Sequence, residues 1–573
     1  MDTVEDTGFF QDPPRLRDEW EDDLAIQRYL ERVLPPEVHA EVVPSLAEMG
    51  HLAATDLKTW SDAMDDPSQE PRLRPFDAWG NRIDEVEISP YWDKIAEVAH
   101  RHGVVATGYE RAHGEHSRVH QFALAYLFNP SSALYSCPLA MTDGAVKSLL
   151  VHGDRDLIER AVPRLTSRDP RTAWTSGQWM TERAGGSDVG RSETVARAEG
   201  PLWRLSGTKW FTSAVTADMA LTLARPEGNG PGGRGLAMFY VEVRDEQGQL
   251  NNLRVLRLKS KLGTRQLPTA ELALDGTLAQ LVGSPADGTR NITPMLTITR
   301  LWNAVTAASG LRRGLALARD YARRREAFDG ALVDLPLHQA TLAWLRTQHE
   351  ASLQLSFRAA ELLGRDEAGG ATERELLALR LLLPITKLTT GKQGIAGASE
   401  ALEAFGGAGY IEDTHLPQLL RDAQVLPIWE GTTNVLSLDV LRAIGSGEVL
   451  AAYVDEVRRA AMQATSAPVA TVGKLAVDAA DHAALWVRQA SDAGPAALQH
   501  GARRLSLTLG RSLQAALLAA QAQHDLDRHG DGRGVAVAQR FAGEGLDLLE
   551  TPGQHMPEDA ALARDEALEI ADA

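Results

Sequence analysis

The sequence predicts an α+β protein in which helices come first, a β domain follows, and two further helical regions complete the chain. Three observations support this fold class. Apolar residues recur at helical spacing from Tyr91 to about Arg168. Short β-rich runs separated by Gly and Asp turns fill the stretch from about Thr172 to Gly283. After Pro294 the helical spacing returns. Because a period near 3.6 indicates helices and a period of 2 indicates strands, the chain changes structural type twice.

The N-terminal part is predicted to be an extension joined to a helical domain, together residues 1–170. Its first stretch, to about residue 70, is acidic and interrupted by proline, with one amphipathic segment near Ala25 to Val33. Residues 171–285 are predicted to form the β domain, since runs such as Met219 to Ala224 and Leu236 to Val243 have strand composition.

A glycine-rich segment, GNGPGGRG from Gly228 to Gly235, joins two of these strand-like runs. It opens no helix, so it predicts a hairpin loop and not a phosphate-binding loop. Gly406, Gly407 and Gly409 lack the spaced third glycine and the preceding strand of a Rossmann fingerprint. A dinucleotide would therefore have to be held in another way.

Two helical regions follow the β domain. Residues 286–446 contain long helical runs, such as Leu311 to Ala327 and Leu337 to Leu363, that predict a helix bundle. Residues 447–573 form an additional helical extension. Its i, i+4 stripe of leucines predicts a core face or a face for a partner helix: Leu505, Leu509, Leu513 and Leu517.

Composition limits the classes of function. With 573 residues, 44% hydrophobic and 24% charged, the chain is expected to form three or four globular domains. No apolar run approaches the ~18 residues that span a bilayer. The acidic N-terminus fits neither a secretory signal nor a transit peptide, and the lone Cys137 excludes intrachain disulfides and cysteine-based metal sites. A cytoplasmic location is the default expectation. The net charge of −19 argues against general attraction to nucleic acid or anionic membranes.

One carboxylate is a candidate catalytic group. In the segment LPIWEGTTN, which starts at Leu426, Glu430 lies between an apolar run and a turn of glycine and hydroxyl residues. Apolar neighbours favour burial of this carboxylate. Burial disfavours the charged form and so raises the pKa of the carboxylate toward the working pH of a general base. Gly431 would let a ligand approach the backbone closely. The same residues also fit the start of a helix, so these residues alone leave a catalytic and a helix-capping interpretation open.

Two more segments define a resemblance. They are MTERAGGSD, from Met180, and GTKWFT, from Gly207. In this order, and together with WEGTTN, they resemble the acyl-CoA dehydrogenase flavoproteins over about residues 90–445. The segments PFDAWGNRIDEV, RLKSKLGTR and WEGTTNVLSLDVLR further resemble the AidB-like, adaptive-response branch of that family. The resemblance implies the acyl-CoA dehydrogenase fold, with an N-terminal helical domain, a middle β domain and a C-terminal bundle, here followed by an extra helical domain.

The resemblance implies FAD as cofactor, held between the β domain and the bundle and partly by a neighbouring subunit. Hydroxyl groups suit the flavin edge, which presents donors and acceptors, and arginine suits a diphosphate. The implied contacts are Met180, Thr181 and Ser187 at the flavin, Trp210 and Thr212 beside it, Arg325 and Phe328 at the diphosphate and adenosine, His338, Gln339, Gly406 and Gly407 as further nucleotide contacts, and Thr432 and Asn434 after the base.

The resemblance also implies the catalytic roles. Glu430 matches the base, and the residues that match positions at the acyl substrate are Ser187, Arg300 and Gly431. Some family members keep the base at the position of Thr299, which is not acidic here. Two residues depart from the family pattern at the adenine end: Asp329 separates Phe328 from the expected glycine, and Glu403 stands where many members have glutamine.

Three other groups of residues can be explained without a metal site or a nucleic-acid site. His113, His116 and His120 could face one way on a helix, but without a matching ligand cluster they predict a solvated face and not a metal site. The arginines from Arg323 to Arg325 could suggest nucleic acid, but Arg325 is better explained by FAD. The basic stretch from Arg254 to Arg265 predicts the solvated face of a strand.

The leading hypothesis is therefore FAD-dependent oxidation of an acyl-CoA to the trans-2-enoyl-CoA, with electrons passed to an electron-transfer flavoprotein and a homotetramer, or at least a dimer, as the assembly. One alternative is an AidB-like, DNA-binding flavoprotein of the alkylation response with weak dehydrogenase activity. Residues 441–573 carry 12 Arg and Lys against 18 Asp and Glu, a balance of −6 that opposes phosphate binding. The other alternative is a membrane-associated long-chain dehydrogenase, for which a basic amphipathic helix would be expected.

Overall fold

The chain folds into two units. The structure is a computed structural model that describes residues 11–445 and 447–568. One unit comprises the chain up to residue 349 together with 393–430, and the other comprises 350–392 and the chain from 431 onward. The acidic N-terminal residues, on which the expectation of no targeting segment depends, lie outside the described residues. The division into four regions stays a prediction.

The first unit begins with helices and one hairpin. Asp23 caps the first helix by accepting hydrogen bonds from the backbone N–H groups of Ala25 and Ile26. From residue 11 onward, three α-helices, and not the single expected amphipathic segment, precede the hairpin. The elements are α1 (Leu24–Val33), α2 (Pro36–Ala54), α3 (Asp56–Met64), β1 (Arg72–Phe76), β2 (Arg82–Glu87), α4 (Pro90–Arg101), α5 (Ala106–Glu110), α6 (Ser117–Phe128), α7 (Ser136–His152) and α8 (Arg155–Leu165).

A closed β barrel follows. Its strands are β3 (Ser176–Trp179), β4 (Val195–Glu199), β5 (Leu202–Ser213), β6 (Met219–Pro226), β7 (Ala237–Glu242), β8 (Leu253–Leu258) and β9 (Thr269–Val282). They pair in the order β3-β6-β4-β5-β9-β7, with β8 on β9, and the additional pairing of β6 with β7 closes the barrel. The glycine-rich segment joins the antiparallel strands β6 and β7, which confirms the predicted hairpin loop.

Successive residues along these strands belong to two different hydrophobic clusters. On β7, Phe239 and Val241 belong to a cluster made of strand residues, whereas Met238 and Tyr240 belong to a cluster shared with α7 and α8. Since successive side chains of a strand point to opposite faces, one face fills the barrel and the other packs on the helices. The same packing fixes the loop after β3, because Met180 contacts the second cluster.

The rest of the first unit is helical. It contains α9 (Gly288–Asn291), α10 (Thr293–Arg324), the short hairpin β10 (Glu326–Ala327) and β11 (Gly330–Ala331), the start of α11 (Pro336–Glu367), the end of α12 (Glu373–Glu403), and α13 (Pro417–Ala423). Helix α10 is buried along most of its length, which places its polar residues in the interior.

The second unit is entirely helical in its described residues. It contains the remaining parts of α11 and α12, then α14 (Thr433–Ile444), α15 (Glu448–Ala461), α16 (Ala467–Asp492), α17 (Pro495–His529), α18 (Arg533–Gly543) and α19 (Met556–Arg564). The leucine stripe on α17 is buried, which confirms that it is a core face. A search of the described helices finds none with the length and apolar character needed to cross a membrane.

The histidines that we expected on a solvated helix face are not all solvated. His120 is only 9% exposed, and its Nε2 lies 2.8 Å from the Ser45 hydroxyl of α2. Burial lowers the pKa of His120 to about 4, so the ring is neutral at pH 7. The expectation was wrong for His120 because α2 covers this face of α6, and the sequence pattern of α6 does not reveal its neighbour.

Candidate active site

The loop MTERAGGSD follows β3 and joins the KWFT end of β5. The backbone N–H of Trp210 donates to the carbonyl of Thr181 at 3.0 Å. Gly186 lies so close to Thr181 that an added Cβ would be 2.6 Å from its hydroxyl. Ser187 is exposed in the loop. The structure thus brings Thr181 and Trp210, two predicted flavin contacts, together on the first unit.

A buried ion pair lies beneath this junction. Lys209 donates from Nζ to Glu182 Oε1 at 2.7 Å and to the carbonyl of Leu223, and both charged residues are almost fully buried. Burial acts to raise the pKa of Glu182, but the Lys209 ammonium and hydrogen bonds from Lys209 and Thr194 outweigh it and lower the pKa. The pair therefore connects the two motif segments from within.

Trp210 and Thr212 differ in what they can offer a ligand. The Lys259 ammonium lies 3.7 Å from the centroid of the Trp210 ring and 2.6 Å from Glu271 Oε1. Thr212 is buried, and its hydroxyl donates to the carbonyl of Ala270 at 2.7 Å. Because a hydroxyl has one proton, Thr212 in this arrangement can only accept a hydrogen bond from a ligand.

The basic stretch around β8 is less solvated than we expected. Lys261 donates from Nζ to the carbonyls of Thr264 and Leu267 and to the Thr269 hydroxyl. Burial lowers the pKa of Lys261 to about 8. The prediction of a solvated strand face was wrong for Lys261 because the chain after β8 turns back and surrounds this ammonium with its own acceptors.

Lys261 and the expected catalytic residue, Glu430, both affect the pKa of the same thiol, that of Cys137. Burial raises the pKa of the Cys137 thiol to about 12, and Lys261 lowers this value while Glu430 raises it. Such mutual effects require proximity. The Cys137 thiol at the start of α7 is therefore within electrostatic range of both Lys261 and Glu430.

Glu430 is held against α10. It has the left-handed backbone conformation, with φ of 57°, and is half-buried, not buried as we expected. Its Oε2 accepts a hydrogen bond from the Thr299 hydroxyl at 2.6 Å, and its backbone carbonyl lies 3.4 Å from Nε of Arg300. The neighbouring Trp429 donates from its indole N–H to Asn303. Sequence reasoning considered Thr299 only as a missing acid and did not identify Asn303.

The residues that follow belong to the second unit. Gly431 has φ of 104°, a conformation that L side chains rarely adopt. Its carbonyl accepts a hydrogen bond from the buried Lys387 ammonium at 2.7 Å. Thr432 caps α14 through the N–H of Val435, so the helix-capping interpretation is confirmed for this residue, and Asn434 is exposed. The cap does not conflict with a base at Glu430, since the cap uses another side chain.

The predicted nucleotide contacts lie near one another at the other end of α10. Arg325 follows the last residue of α10, and its carbonyl accepts a hydrogen bond from the N–H of Leu332. The hydrophobic cluster beside this segment includes Leu332 and Leu342 as well as Phe405 and Ala408, which flank Gly406 and Gly407. Gln339 and Phe328 are exposed, Phe328 by 90%.

These residues fit a dinucleotide. The Nε2 atom of His338 is buried and finds no hydrogen-bond partner in the described part of the chain, so it is available to a ligand. Added Cβ atoms at Gly406 and Gly407 would meet no atom within 4 Å, which leaves open space beside the backbone. Arg325 would face a diphosphate, and Phe328 offers an aromatic surface for an adenine.

The chain is similar to proteins of known families. Four family models match: the adaptive response protein AidB N-terminal domain at residues 12–170, the acyl-CoA dehydrogenase middle domain at 177–277, the acyl-CoA dehydrogenase C-terminal domain at 286–445, and an acyl-CoA dehydrogenase 11 C-terminal domain-like model at 448–568. Acyl-CoA dehydrogenase family member 11 of Caenorhabditis elegans is 43% identical over 535 residues, which cover 89% of this chain and 85% of the relative. The chain belongs to the acyl-CoA dehydrogenase family.

Other members of the family have similar sequences or structures. AidB of Escherichia coli is 33% identical over 383 residues, 65% of this chain and 69% of AidB. A crystal structure of Caenorhabditis elegans ACDH-11 in complex with C11-CoA has a TM-score of 0.94 and 40% identity, with 99% of each chain covered. An acyl-CoA dehydrogenase from Bacillus anthracis complexed with FAD has a TM-score of 0.70 at 16% identity, with 96% of this chain and 95% of that chain covered, a likeness of fold alone.

Family membership confirms several expectations from the sequence. The acyl-CoA dehydrogenase fold with an extra C-terminal helical domain is confirmed, as is the AidB-like resemblance of the N-terminal region. The expectation of an FAD-dependent oxidoreductase is confirmed at the level of the family. The roles of individual residues, from Met180 to Asn434, stay predictions.

Proposed function

We propose that this acyl-CoA dehydrogenase oxidises an acyl-CoA thioester to the trans-2-enoyl-CoA with Glu430 as the base. The observation that carries the proposal is the placement of Glu430: the residue is half-buried, its carboxylate accepts a hydrogen bond from Thr299 of α10, and its backbone carbonyl lies 3.4 Å from Nε of Arg300. The similarity to ACDH-11, which was crystallised with C11-CoA, supports an acyl-CoA as the substrate class.

The site residues have separate roles in proton removal, in orientation of the substrate and in binding of the cofactor. Glu430 removes the α-proton of the thioester, for which a carboxylate within hydrogen-bond reach of the substrate is suited. Arg300 and Ser187 help to orient the acyl thioester, and the MTERAGGSD and KWFT segments hold the cofactor's ring. The redox step, removal of hydride from the β-carbon, is the chemistry that FAD supplies when bound.

The proposal includes an electron acceptor, an assembly and a location. We assign an electron-transfer flavoprotein as acceptor, a homotetramer, or at least a dimer, as assembly and the cytoplasm as location. Support for the assembly comes from the adenosine end of the site, where Phe328 is 90% exposed in the single chain and Tyr410 88%. Large exposed aromatic side chains in one region are typical of a surface that another molecule covers.

Binding of DNA is the alternative, and the AidB relationship is what favours it. The charge of the C-terminal region opposes it, since residues 441–573 carry the −6 balance described above. The oxidation of an acyl-CoA therefore remains the better-supported function.

An anaerobic titration tests the proposal. The purified protein is expected to be yellow, with about one FAD per chain, because both motif segments and the nucleotide contacts are present. Addition of straight-chain and branched acyl-CoAs, with C11-CoA among them, should bleach the flavin absorbance and yield the enoyl-CoA. A protein that stays colourless after addition of FAD, or a flavin that no acyl-CoA bleaches, would contradict the proposal.

Replacement of Arg325 tests the nucleotide site. Arg325→Ala is expected to lower FAD retention and to weaken the oligomer together, because the guanidinium is assigned to the diphosphate at a subunit boundary. Loss of one partner of such a charged pair costs on the order of 2–5 kcal/mol. Flavin content after gel filtration and the oligomer mass measure both effects. Arg323→Ala, at an exposed neighbouring position, is the matched control. Unchanged flavin content in Arg325→Ala would refute the assignment.

A further inference from the structure

Thr299 makes a contact that the roles assigned so far do not explain. It lies on α10, is 4% exposed, and places its Oγ1 2.6 Å from Oε2 of Glu430. The same oxygen lies 3.1 Å from the carbonyl of Met295, four residues earlier on α10. The hydroxyl therefore has two kinds of acceptor within reach: the carbonyls of Met295 and, at 3.4 Å, Leu296 on its own helix, and the carboxylate of the proposed base.

The single proton of the hydroxyl makes these two contacts alternatives. A threonine hydroxyl has one donor and two acceptor lone pairs. In a helix, threonine usually donates to the carbonyl four residues earlier, and here that acceptor is Met295. The shorter contact is with the carboxylate, as expected for a charge-assisted hydrogen bond.

The Thr299 hydroxyl can form a hydrogen bond with the Glu430 side chain in both its charged and its neutral form. While the carboxylate is charged, Thr299 donates to it. Once the α-proton has moved from the acyl α-carbon to Glu430, the neutral acid carries an O–H that can donate to Thr299 Oγ1. The hydroxyl then turns and donates to the carbonyl of Met295. Glu430 thus keeps a partner before and after the proton transfer. Only two hydrogens have to turn, that of the Thr299 hydroxyl and that of the newly formed Glu430 O–H, and the heavy atoms stay in place.

The surrounding contacts indicate that the orientation of Glu430 is held by its neighbours. A non-glycine residue with φ of 57° is in an uncommon conformation that its neighbours must hold. Thr299 and Asn303 are four residues apart and so share one face of α10, and they bind the consecutive residues Glu430 and Trp429. Arg300 of α10 lies 3.4 Å from the backbone carbonyl of this glutamate, and the charge of Glu430 acts to raise the pKa of Cys137 at the start of α7.

We propose that Thr299 is a positioning residue that holds the Glu430 carboxylate toward the substrate and accepts the hydrogen bond of its protonated form. This inference rests on the proposed function, because it assigns Thr299 a role only through Glu430. It predicts that the hydroxyl, and not the shape of the side chain, determines the rate of α-proton removal.

Three replacements separate hydroxyl from shape. Thr299→Val keeps the shape and removes the hydroxyl, Thr299→Ser keeps the hydroxyl, and Thr299→Ala is a second variant without the hydroxyl in case valine disturbs packing. Each is prepared as the FAD-loaded full chain, with flavin content and acyl-CoA affinity as checks on the fold. Two rates are measured with the best straight-chain acyl-CoA: anaerobic flavin bleaching, and exchange of the α-protons in D₂O followed by mass spectrometry.

The expected result is that Val and Ala slow both rates about ten- to a hundredfold, the range for loss of a hydrogen bond to a charged group, while affinity for the acyl-CoA is retained. Ser is expected to restore most of the rate. Wild-type rates in Val and Ala would overturn the role of Thr299 and leave the proposed function intact. Equal losses in Val, Ala and Ser would also overturn it, because the hydroxyl would then not matter. If the wild type shows neither exchange nor bleaching, the proposed function fails and this inference fails with it.

Discussion

Glu430→Gln is expected to abolish reduction of the flavin by acyl-CoA while FAD and the thioester still bind. The amide keeps the size of the side chain and can still accept the hydrogen bond of Thr299 through its oxygen, but it cannot take up the α-proton at neutral pH. Loss of a positioned general base lowers a rate by a factor of about 10²–10⁴. Stopped-flow measurement of flavin bleaching in the wild type and the variant gives this factor directly.

The control for this experiment is a glutamate of the same unit that is far more exposed. Glu159 of α8 is 61% exposed and paired with Arg155, so Glu159→Gln should bleach at the wild-type rate. Thr299 is not acidic, so it cannot replace the missing base. A Glu430→Gln variant that bleaches as fast as the wild type would show that another group removes the proton.

Lys209→Met is expected to destabilise the first unit strongly. The Lys209 and Glu182 side chains are 0% and 3% exposed and their charges are 2.7 Å apart, so removal of the ammonium leaves a carboxylate buried without its counter-charge. Breaking a buried pair in this way costs about 3–5 kcal/mol, whereas exposed pairs contribute about 0–1 kcal/mol. The free energy of unfolding, measured by denaturant titration with retained flavin as a second readout, tests this.

Two further variants separate charge from packing. Arg155→Met breaks an exposed pair of the same kind and should change stability by less than about 1 kcal/mol. The double variant Glu182→Gln and Lys209→Met removes both charges and should recover much of the loss, because no unpaired charge remains buried. If Lys209→Met behaved like Arg155→Met, the ion pair would not be what connects the MTERAGGSD and KWFT segments.

Local sequence patterns predicted those elements whose burial follows from the type and spacing of the residues in the element itself. The strand composition of β6 and β7 and the glycine-rich segment between them predicted a hairpin, and the two strands pair antiparallel. The leucine stripe of α17 likewise has one possible use, burial. The motif segments were enough to identify the family because their residue types and order are specific.

Contacts between side chains that are far apart in the sequence could be found in the folded chain and not in any local pattern. His120 and Lys261 look like solvated residues in their own segments, yet α2 covers one and the loop after β8 surrounds the other. Glu182 and Lys209 are 27 residues apart, and Thr299 and Glu430 are 131 residues apart, so neither contact leaves a periodic signal. The fold class, the family and the candidate base could all be inferred from the residues and their order. The partner of that base depends on how α10 packs against the turn at Trp429, and packing of this kind is a property of the folded chain and not of any local pattern.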